Sequence, residues 1–437
     1  MSRYIDCIDM MEILRALSPL PRTIANNATD EAFDIIKKYL PGSVTHQFTT
    51  GSKAWTWTIP KRWELLRATI KSGGQVLVDS DWSILHVVNY SKPVLGKFSR
   101  DELLKHIYTL PEQPDSIPFI FSFYQDQWGF SIPHNWLKKF DAEHYEVEIN
   151  SKLEDGFLNC ITFFIPGESE ETFIISSNIC HPLQANDSLT GVVVALDIAA
   201  RLKKRKKLKY SYLVMIVPET IGTIAFLSAN PQIIENSVGA FFSEMLGTNT
   251  PLVWQKTRMG NTYWDSILTN ICLHATPSIK TVDFLKSAAN DEKVLDSPGV
   301  EIPTVSLTRY PYKEYHTNHD NYDLINELKL KEARDFLQQF IDYFERDYIP
   351  KLVYPGPIFL SGYDLYPDWK NTPDLKPLWD SFIDVMYSIN GVHSVVELAC
   401  KKNIPIEHFF YWTDKFFEKG LIQKKDFICT KKISNKP

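Results

Sequence analysis

The sequence predicts an α/β protein whose sheet has helices on both faces. Strand-sized apolar runs, such as residues 210–217, alternate with helical patterns at 188–202 and 328–347, an alternation that is typical of this class. The 437 residues exceed the roughly 250–300 at which one core stops growing, so we expect about two to four units. Hydrophobic residues make up 44% and charged residues 23%, which excludes a disordered or fibrous chain.

Two helices and a β-rich segment come first along the chain. Apolar residues at helical spacing predict helices over 5–17 and 32–40, and Pro41-Gly42 ends the second. After residue 50, short apolar runs alternate with Gly-Gly and Ser-Lys-Pro breaks, which predicts a small β-rich domain over 51–134. We expect this domain to interrupt a larger one formed by residues 1–50 and 135–350.

The larger domain continues as alternating strands and helices. We predict strands at 145–150, 159–165, 172–177, 210–217, 239–246 and 302–308. We predict helices at 188–202, 221–228 and 328–347.

A third unit, at 365–437, follows a linker rich in Pro, Gly and Asp. Helices near 378–387, after a capping Ser394 and at 406–419, with a hairpin over 421–428, form the winged-helix pattern. The third helix would be the recognition helix of a DNA-binding protein, but residues 407–415 are acidic and aromatic. DNA is therefore not expected as a partner, and packing or homo-oligomerisation is the expected role.

Charge and cysteine usage exclude several classes of protein. The net charge is −6, so no positive field favours nucleic acid. The six cysteines include no C-x-x-C pair, which argues against a disulfide framework or zinc ribbon. Asp6 and Asp9 interrupt the apolar run that a signal peptide needs, and no run is long enough to span a membrane. We expect a reduced, cytoplasmic protein with no membrane partner.

Potential metal ligands fall at the predicted ends of strands. His181 comes just after one strand, and Asp187 lies at the start of the next helix. Glu219 and Glu244 each follow a further strand. Ligands of open α/β sheets bind beyond the carboxyl ends of strands, so we expect these side chains to converge. Two imidazoles with carboxylates suit zinc, and His316 would be the second imidazole.

Each of these residues also has an ordinary structural interpretation. Asp187 could merely cap the helix that begins at Ser188, and His181 could be a polar residue after a strand. Glu219 and Glu244 could be surface carboxylates. Taken singly the signals are weak, but their order along alternating strands is more specific.

Several segments match, in order, the motifs of one known family. They are Leu17-Ser18-Pro19-Leu20-Pro21-Arg22, Ala185-Asn186-Asp187-Ser188-Leu189-Thr190-Gly191, Glu219, Glu244-Met245-Leu246-Gly247 and His316-Thr317-Asn318-His319-Asp320. With this order the chain resembles the zinc-dependent aminopeptidase clan that includes bacterial leucyl aminopeptidase and glutamate carboxypeptidase II. More narrowly, it resembles bacterial aminopeptidase-like proteins with an inserted small domain and a C-terminal winged helix, which are associated with polysaccharide or natural-product pathways.

The resemblance implies a zinc-exopeptidase-like fold, with a mixed sheet flanked by helices, and a role for each motif. Asp187 would bridge two metals. His181 and Glu244 would complete one site, and His316 would belong to the other. Glu219 would be the general base that activates water. The cofactor would be zinc, as one or two ions.

Two positions depart from the family pattern. The glutamate that normally follows the base is Thr220 here, and the aspartate of the family's His-x-Asp motif is Leu183. The second metal therefore loses a carboxylate, and a supporting partner of the first histidine is absent. We hypothesise one tightly bound zinc and one weak or empty site.

Other residues are candidates for subsidiary roles. Arg309 and Tyr310 follow the strand at 302–308 and could hold a substrate carboxylate. His319 competes with His316 as a ligand, but the His-Thr match favours His316. Asn290-Asp291-Glu292 could face the substrate, although a surface loop is the simpler interpretation. Residues of the β-rich domain that could shape specificity are Trp82, His86, Trp128 and His134.

The leading hypothesis is a zinc-dependent aminopeptidase-like hydrolase. It would cleave an amide bond next to a free amine in a small peptide or an aminoacylated metabolite. The alternative from another class is a degenerate peptidase fold that acts as a regulatory, DNA-binding or scaffold protein through its winged helix. A third option is another amine chemistry, such as cyclisation or acyl transfer, with a single zinc.

Overall fold

A computed structural model of the chain describes residues 7–275, 279–366 and 375–431, and a mixed sheet of eight strands forms its centre. In spatial order the strands are Val44–Thr49, Phe157–Ile165, Ser211–Val217, Thr172–Asn178, Ser237–Ser243, Thr304–Thr308, Val253–Gln255 and Lys280–Val282. The four strands from Ser211–Val217 to Thr304–Thr308 are parallel to one another. The strand on each side of this group, Phe157–Ile165 and Val253–Gln255, pairs with it in the antiparallel direction.

Helices cover both faces of this sheet, which confirms the predicted α/β class. Phe173 and Ile175 pack into one apolar core with Leu189, whereas Ile174, between them, packs into the opposite core with Ile221. Because successive strand residues point to opposite faces, only a sheet covered twice buries all of them. The helices are Met10–Leu17, Asn27–Tyr39, Leu189–Lys203, Ile221–Ala229, Pro231–Asn236, Tyr263–His274, Glu292–Leu295 and Glu327–Arg346.

A smaller antiparallel sheet lies between the first two strands of the large sheet in sequence. Its strands, in spatial order, are Gln75–Asp79, Arg62–Ser72, His144–Glu154 and Val94–Ser99. Short pairs Lys53–Ala54 with Trp57–Thr58 and Ile107–Tyr108 with Phe130–Ser131, and the helix Arg100–Leu103, complete this part of the chain.

The pairing of His144–Glu154 differs from the sequence prediction. We predicted the return to the larger domain at residue 135, yet this strand pairs with Arg62–Ser72 and Val94–Ser99 in the smaller sheet. Its buried positions alternate with exposed ones, as in a sheet with one covered face. Such alternation predicts a strand but does not identify the strand it pairs with.

The C-terminal part has the predicted helices but not the predicted hairpin. Its helices are Lys376–Asp380, Phe382–Ser388, Val395–Lys402 and Ile406–Glu418, and Ser394 caps the third of them as expected. Residues Ile422–Asp426 form one continuous strand, which pairs with Tyr348–Leu352. The chain therefore does not turn back on itself there, as a hairpin over 421–428 would require. Lys424 is held extended because its ammonium bonds Asp414 and lies over the Tyr348 ring. Parts of the expected linker and tail, 367–374 and 432–437, lie outside the described residues.

The helix Ile406–Glu418 is buried against the rest of the chain. Phe409, Phe410 and Phe416 are buried, and Phe410 contacts Tyr343 of the helix Glu327–Arg346. Arg346, at the end of that helix, pairs with Asp414. The apolar face of this helix therefore packs within the chain, and Asp414 adds an ion pair to the helix Glu327–Arg346.

All six cysteines are free thiols. Within the described ranges, no helix combines the length and the apolar character that crossing a membrane requires.

One buried ion pair joins three parts of the larger unit. Asp197, in the helix Leu189–Lys203, is fully buried and accepts hydrogen bonds from the N–H groups of Cys7 and Ile8. Its other oxygen pairs with the buried Arg334 at 3.0 Å and with Arg201 at 2.7 Å. The N-terminal segment and two helices thus share one carboxylate.

Removing this carboxylate should strongly destabilise the protein. Asp197→Ala leaves the buried Arg334 without this partner, so we expect the free energy of unfolding to fall by about 3–5 kcal/mol, measured by urea denaturation. Asp34→Ala, which breaks the exposed pair with Lys37, is the matched control and should leave the midpoint nearly unchanged. Equal midpoints for the two variants would contradict the structural role of Asp197.

Candidate metal centre

The candidate ligands lie at the carboxyl ends of three neighbouring parallel strands. His181 follows Thr172–Asn178, Glu219 follows Ser211–Val217, and Glu244 follows Ser237–Ser243. Parallel strands end at the same edge of a sheet, so the topology brings these side chains together. Asp187 lies between His181 and the buried helix Leu189–Lys203.

Three side chains form a compact triad at this edge. Asp187 Oδ1 lies 3.6 Å from His181 Nδ1, and Asp187 Oδ2 lies 3.1 Å from His316 Nε2. Ligand atoms of all three residues lie within 4.8 Å of one another. His181 Nδ1, Asp187 Oδ2 and His316 Nε2 are buried and have no hydrogen-bond partner outside the triad. Buried polar atoms are normally paired, so these three fit a bound cation.

The chemistry of the triad suits zinc. Imidazole nitrogen and carboxylate oxygen are common zinc ligands, and catalytic zinc sites usually have three protein ligands. Burial lowers the pKa of His181 to about 4. The imidazole is therefore neutral near pH 7, which is the form that binds metals.

Two buried charged residues fix the loop that carries His181 and Asp187. Asp320 accepts hydrogen bonds from the N–H groups of Asn186 at 2.6 Å and Asp187 at 3.0 Å, and from the Tyr312 hydroxyl. Arg22 donates to the carbonyl oxygens of His181 at 2.6 Å and of nearby residues 179 and 184. These hydrogen bonds hold the backbone of the loop at several points on either side of Asp187.

Gly191 allows the helix after Asp187 to approach the sheet closely. A Cβ atom at this position would overlap the carbonyl oxygen of Ser243, which also accepts a hydrogen bond from Ser177. Only glycine fits there. The last residue of the Asn-Asp-Ser-Leu-Thr-Gly segment is therefore required by packing.

Glu219 lies beside the triad and is partly exposed to solvent. Its Oε2 is 3.5 Å from His181 Nε2, and its side chain is 30% exposed. Burial, together with the nearby carboxyl groups of Asp291 and Asp187, raises the pKa of Glu219 to about 8. The next residue, Thr220, has φ of 62° and donates its N–H to Asp291 Oδ1 at 2.9 Å.

Left-handed backbone conformations occur at four positions in the site motifs. Leu183, Thr220, Met245 and His316 have φ between 51° and 62°. Non-glycine residues seldom adopt this region, and such strain concentrates at functional sites.

Glu244 is buried near the triad but has a different partner. One of its oxygens accepts a hydrogen bond from Asn290 Nδ2 at 2.6 Å, and it lies outside the group of ligand atoms within 4.8 Å. Burial and the neighbouring Asp187 hold its pKa well above the ordinary value. The two histidines thus lie at different oxygens of Asp187, whereas Glu244, which the resemblance implies as a ligand, lies outside the group.

The segment Asn290-Asp291-Glu292 is buried, so the surface-loop interpretation is wrong. Asn290 bonds Glu244 and Asn178, Asp291 bonds Thr220, and Glu292 accepts a hydrogen bond from Gln255. Three consecutive polar residues are normally exposed. No pattern in the sequence showed that these three are buried and hydrogen-bonded to residues that follow the strands of the large sheet.

Arg309 is engaged in structural contacts. Its buried guanidinium donates to the carbonyl oxygens of Leu246 and Thr250, and it pairs with Glu332 at 3.0 Å. It is therefore not available to hold a substrate carboxylate. Tyr310 contacts Tyr315 edge-on, and Tyr315 stacks on the His316 ring with centroids 3.9 Å apart.

The part of the β-rich segment that reaches the triad is not the part suggested by the sequence. The rings of Trp82 and His86 pack on Trp136, Trp128 stacks on His106, and His134 bonds Thr109. Phe119 instead contacts both histidines, with ring centroids 5.7 Å from His181 and 5.3 Å from His316. No motif marks this phenylalanine, since only the tertiary fold brings it to the site.

Comparisons with known proteins show similarity over most of the chain. The chain is 30% identical over 428 residues to a Clostridium acetobutylicum protein named, provisionally, a polysaccharide biosynthesis protein with an aminopeptidase-like domain, covering 95% of this chain and 96% of that one. A crystal structure of a provisionally named peptidase from Clostridium acetobutylicum superimposes with a TM-score of 0.85 at 29% identity, covering 95% of this chain and 96% of the other.

The chain also shares its fold with a zinc aminopeptidase. The zinc aminopeptidase of Bacillus subtilis superimposes with a TM-score of 0.57 at 13% identity, covering 78% of this chain and 95% of that one. The family described as a domain of unknown function, DUF4910, matches residues 11–347. The chain therefore belongs to the DUF4910 family, and its fold is that of an aminopeptidase-like protein.

Proposed function

We propose that this protein is a zinc-dependent hydrolase that cleaves an amide bond next to a free amine in a small peptide or an aminoacylated metabolite. The observation that carries this proposal is the triad of buried ligand atoms, which have no hydrogen-bond partner outside the triad, with Glu219 beside it. The name of the Clostridium acetobutylicum relative supports a setting in polysaccharide biosynthesis.

His181, Asp187 and His316 would hold the zinc. Bound there, zinc would polarise the scissile carbonyl and lower the pKa of a bound water. Asp187 contributes the negative charge, and its two oxygens lie 3.6 Å from His181 Nδ1 and 3.1 Å from His316 Nε2. Asp320 and Arg22 keep the loop in place while substrate enters and product leaves.

Glu219 would be the general base. Its carboxylate is the partly exposed member of the site, so a water molecule and a substrate can reach it. Neighbouring carboxyl groups raise its affinity for a proton. It would take a proton from the attacking water and then deliver it to the leaving amine, so that each cycle returns Glu219 to its ionised form.

The charges around the triad favour an amine over a carboxylate as the recognised end of the substrate. The carboxyl groups of Glu219, Glu244 and Asp291 raise one another's proton affinity, and a cation beside them favours their ionised forms. Arg309, which we expected to hold a substrate carboxylate, is bound to the backbone and Glu332. A substrate ammonium group thus meets complementary charge, whereas a terminal carboxylate meets repulsion.

One zinc per chain is the proposed stoichiometry. A second ion would need a carboxylate at Thr220, and the oxygen of Glu244 that Asn290 binds is already in use. Ligand atoms of both histidines and of Asp187 lie within 4.8 Å of one another, so these three residues would hold the single ion together.

The remaining expectations belong to the same proposal. Residues 51–134, together with the strand His144–Glu154 that pairs with them, would form an inserted domain. Residues 365–437 would be a winged-helix-related unit used for packing or homo-oligomerisation. The setting would be cytoplasmic. Regulation through DNA is the less favoured alternative, since the third helix is packed on Glu327–Arg346.

Glu219→Gln should abolish hydrolysis while leaving the metal bound. The amide cannot accept the proton, so we expect kcat/KM to fall by at least about 100-fold, measured on a panel of aminoacyl amides, with zinc content measured by mass spectrometry. If no amide in the panel is cleaved by wild type, or if the variant keeps full activity, the proposed reaction is wrong.

His316→Ala should lose zinc, whereas His319→Ala should keep it. The two histidines lie in one segment, but His319 is exposed and only His316 belongs to the triad. We expect the zinc Kd to rise by more than about 100-fold in His316→Ala, beyond the loss typical of an outer partner. Competition with a chromogenic chelator measures this. Equal affinities for the two variants would refute the ligand assignment.

Thr220→Glu should raise the zinc content from one ion toward two per chain. The new carboxylate restores a ligand beside Glu219, and carboxylate oxygen binds zinc. Ser228→Glu, in the helix Ile221–Ala229 that follows Thr220, adds the same charge away from the triad and serves as the control. Wild-type protein that already holds two tightly bound zinc ions would contradict the single-ion proposal.

A further inference from the structure

A segment of the β-rich part, Ile117–Phe121, is hydrogen-bonded to the loop that carries His316. We define the ligand loop as residues 313–320. Phe119 N–H donates to the carbonyl oxygen of His316 at 2.8 Å, and Asn318 N–H donates to that of Ile117 at 3.1 Å. The Asn318 side chain completes the contact, because its Oδ1 accepts the N–H of Ile117 at 2.8 Å.

These bonds act on a residue whose backbone is strained. His316 has φ of 53°, in the left-handed region that residues other than glycine seldom adopt. Such a conformation persists only when the surroundings impose it. The bond from Phe119 N–H holds the carbonyl of His316 itself, so the segment Ile117–Phe121 contributes directly to imposing it.

The same segment restrains the His316 ring. One face of the imidazole stacks on Tyr315, and the rings of Phe119 and Phe121 approach it edge-on, with centroids 5.3 Å and 6.3 Å away. With the ring enclosed in this way, Nε2 stays directed at Asp187 Oδ2, 3.1 Å away.

We propose that Asn318 is a positioning residue of the metal centre, and that the segment Ile117–Phe121 is a structural part of that centre. This rests on the zinc site of the proposed function. Zinc binding and docking of the segment are then coupled: whatever loosens the segment frees His316, and zinc on His316 holds the segment in place. Such coupling is reciprocal by thermodynamic necessity.

The test uses the full-length protein and three variants. Asn318→Ala removes the acceptor for Ile117 N–H, Asn318→Asp keeps an acceptor oxygen, and Asn135→Ala removes an exposed hydrogen bond to Asp115 elsewhere in the same part of the chain. We expect the zinc Kd of Asn318→Ala to rise about 10- to 100-fold. Asn318→Asp should recover most of the affinity, and Asn135→Ala should match wild type.

Two further measurements separate positioning from general loss of stability. The visible spectrum of the cobalt(II)-substituted protein should change in Asn318→Ala, because the geometry of the His316 ligand changes. Exchange of the backbone amide hydrogens in wild type should slow on zinc addition in both the segment Ile117–Phe121 and the ligand loop. In Asn318→Ala the protection of the segment Ile117–Phe121 should be lost. A purely structural role would instead lower the unfolding temperature of the metal-free variant and leave the cobalt spectrum unchanged.

The outcomes distinguish this proposal from the proposed function. Wild-type zinc affinity and an unchanged cobalt spectrum in Asn318→Ala would overturn the positioning role, even if amide hydrolysis is found. A wild-type protein that binds zinc but cleaves no amide would contradict the hydrolase. The positioning role would still be supported if the Asn318 variants behave as expected. A wild-type protein that binds no zinc would overturn both.

Discussion

The carboxylate of Asp187 is the group on which the strand-end loops depend. It is buried, and a buried charge is costly unless other groups balance it. Its oxygens face His181 and His316, while its own N–H bonds Asp320. His181 lies on the same loop as Asp187, whereas His316 and Asp320 lie together on the ligand loop. The two loops therefore have to meet at this carboxylate, and a divalent cation between the donors would supply the balancing charge.

This arrangement leaves an excess of acid at one edge of the sheet. Glu219, Glu244 and Asp291 lie near the triad, and the buried cation Arg22 is bonded to carbonyl oxygens rather than to these carboxylates. Burial and mutual repulsion raise the proton affinity of such groups. The same electrostatic surplus suits a metal ion and an ammonium group, so cofactor binding and substrate preference in the proposed function have one physical origin.

Much of the fold and several site positions could be predicted because they have local signals. Buried strands and amphipathic helices have periodic patterns, and these gave the α/β class and most elements of the large sheet. The residues His181, Asp187, Glu219 and His316 were marked by short motifs at strand ends, and the structure brings them together. Parallel strand order explains this, because strand ends share an edge of the sheet.

Long-range contacts had no such signal. Alternation in His144–Glu154 predicted a strand but not its sheet, and the charge of Arg309 suggested a substrate contact where the fold uses it to bind carbonyl oxygens. Phe119 reaches the triad only because the chain folds back over more than a hundred residues. The sequence by itself determined the element types and the reactive side chains, since these depend on neighbours along the chain. The tertiary structure alone decided which strands pair, which charges are buried and which segment encloses His316, since these depend on contacts between distant residues.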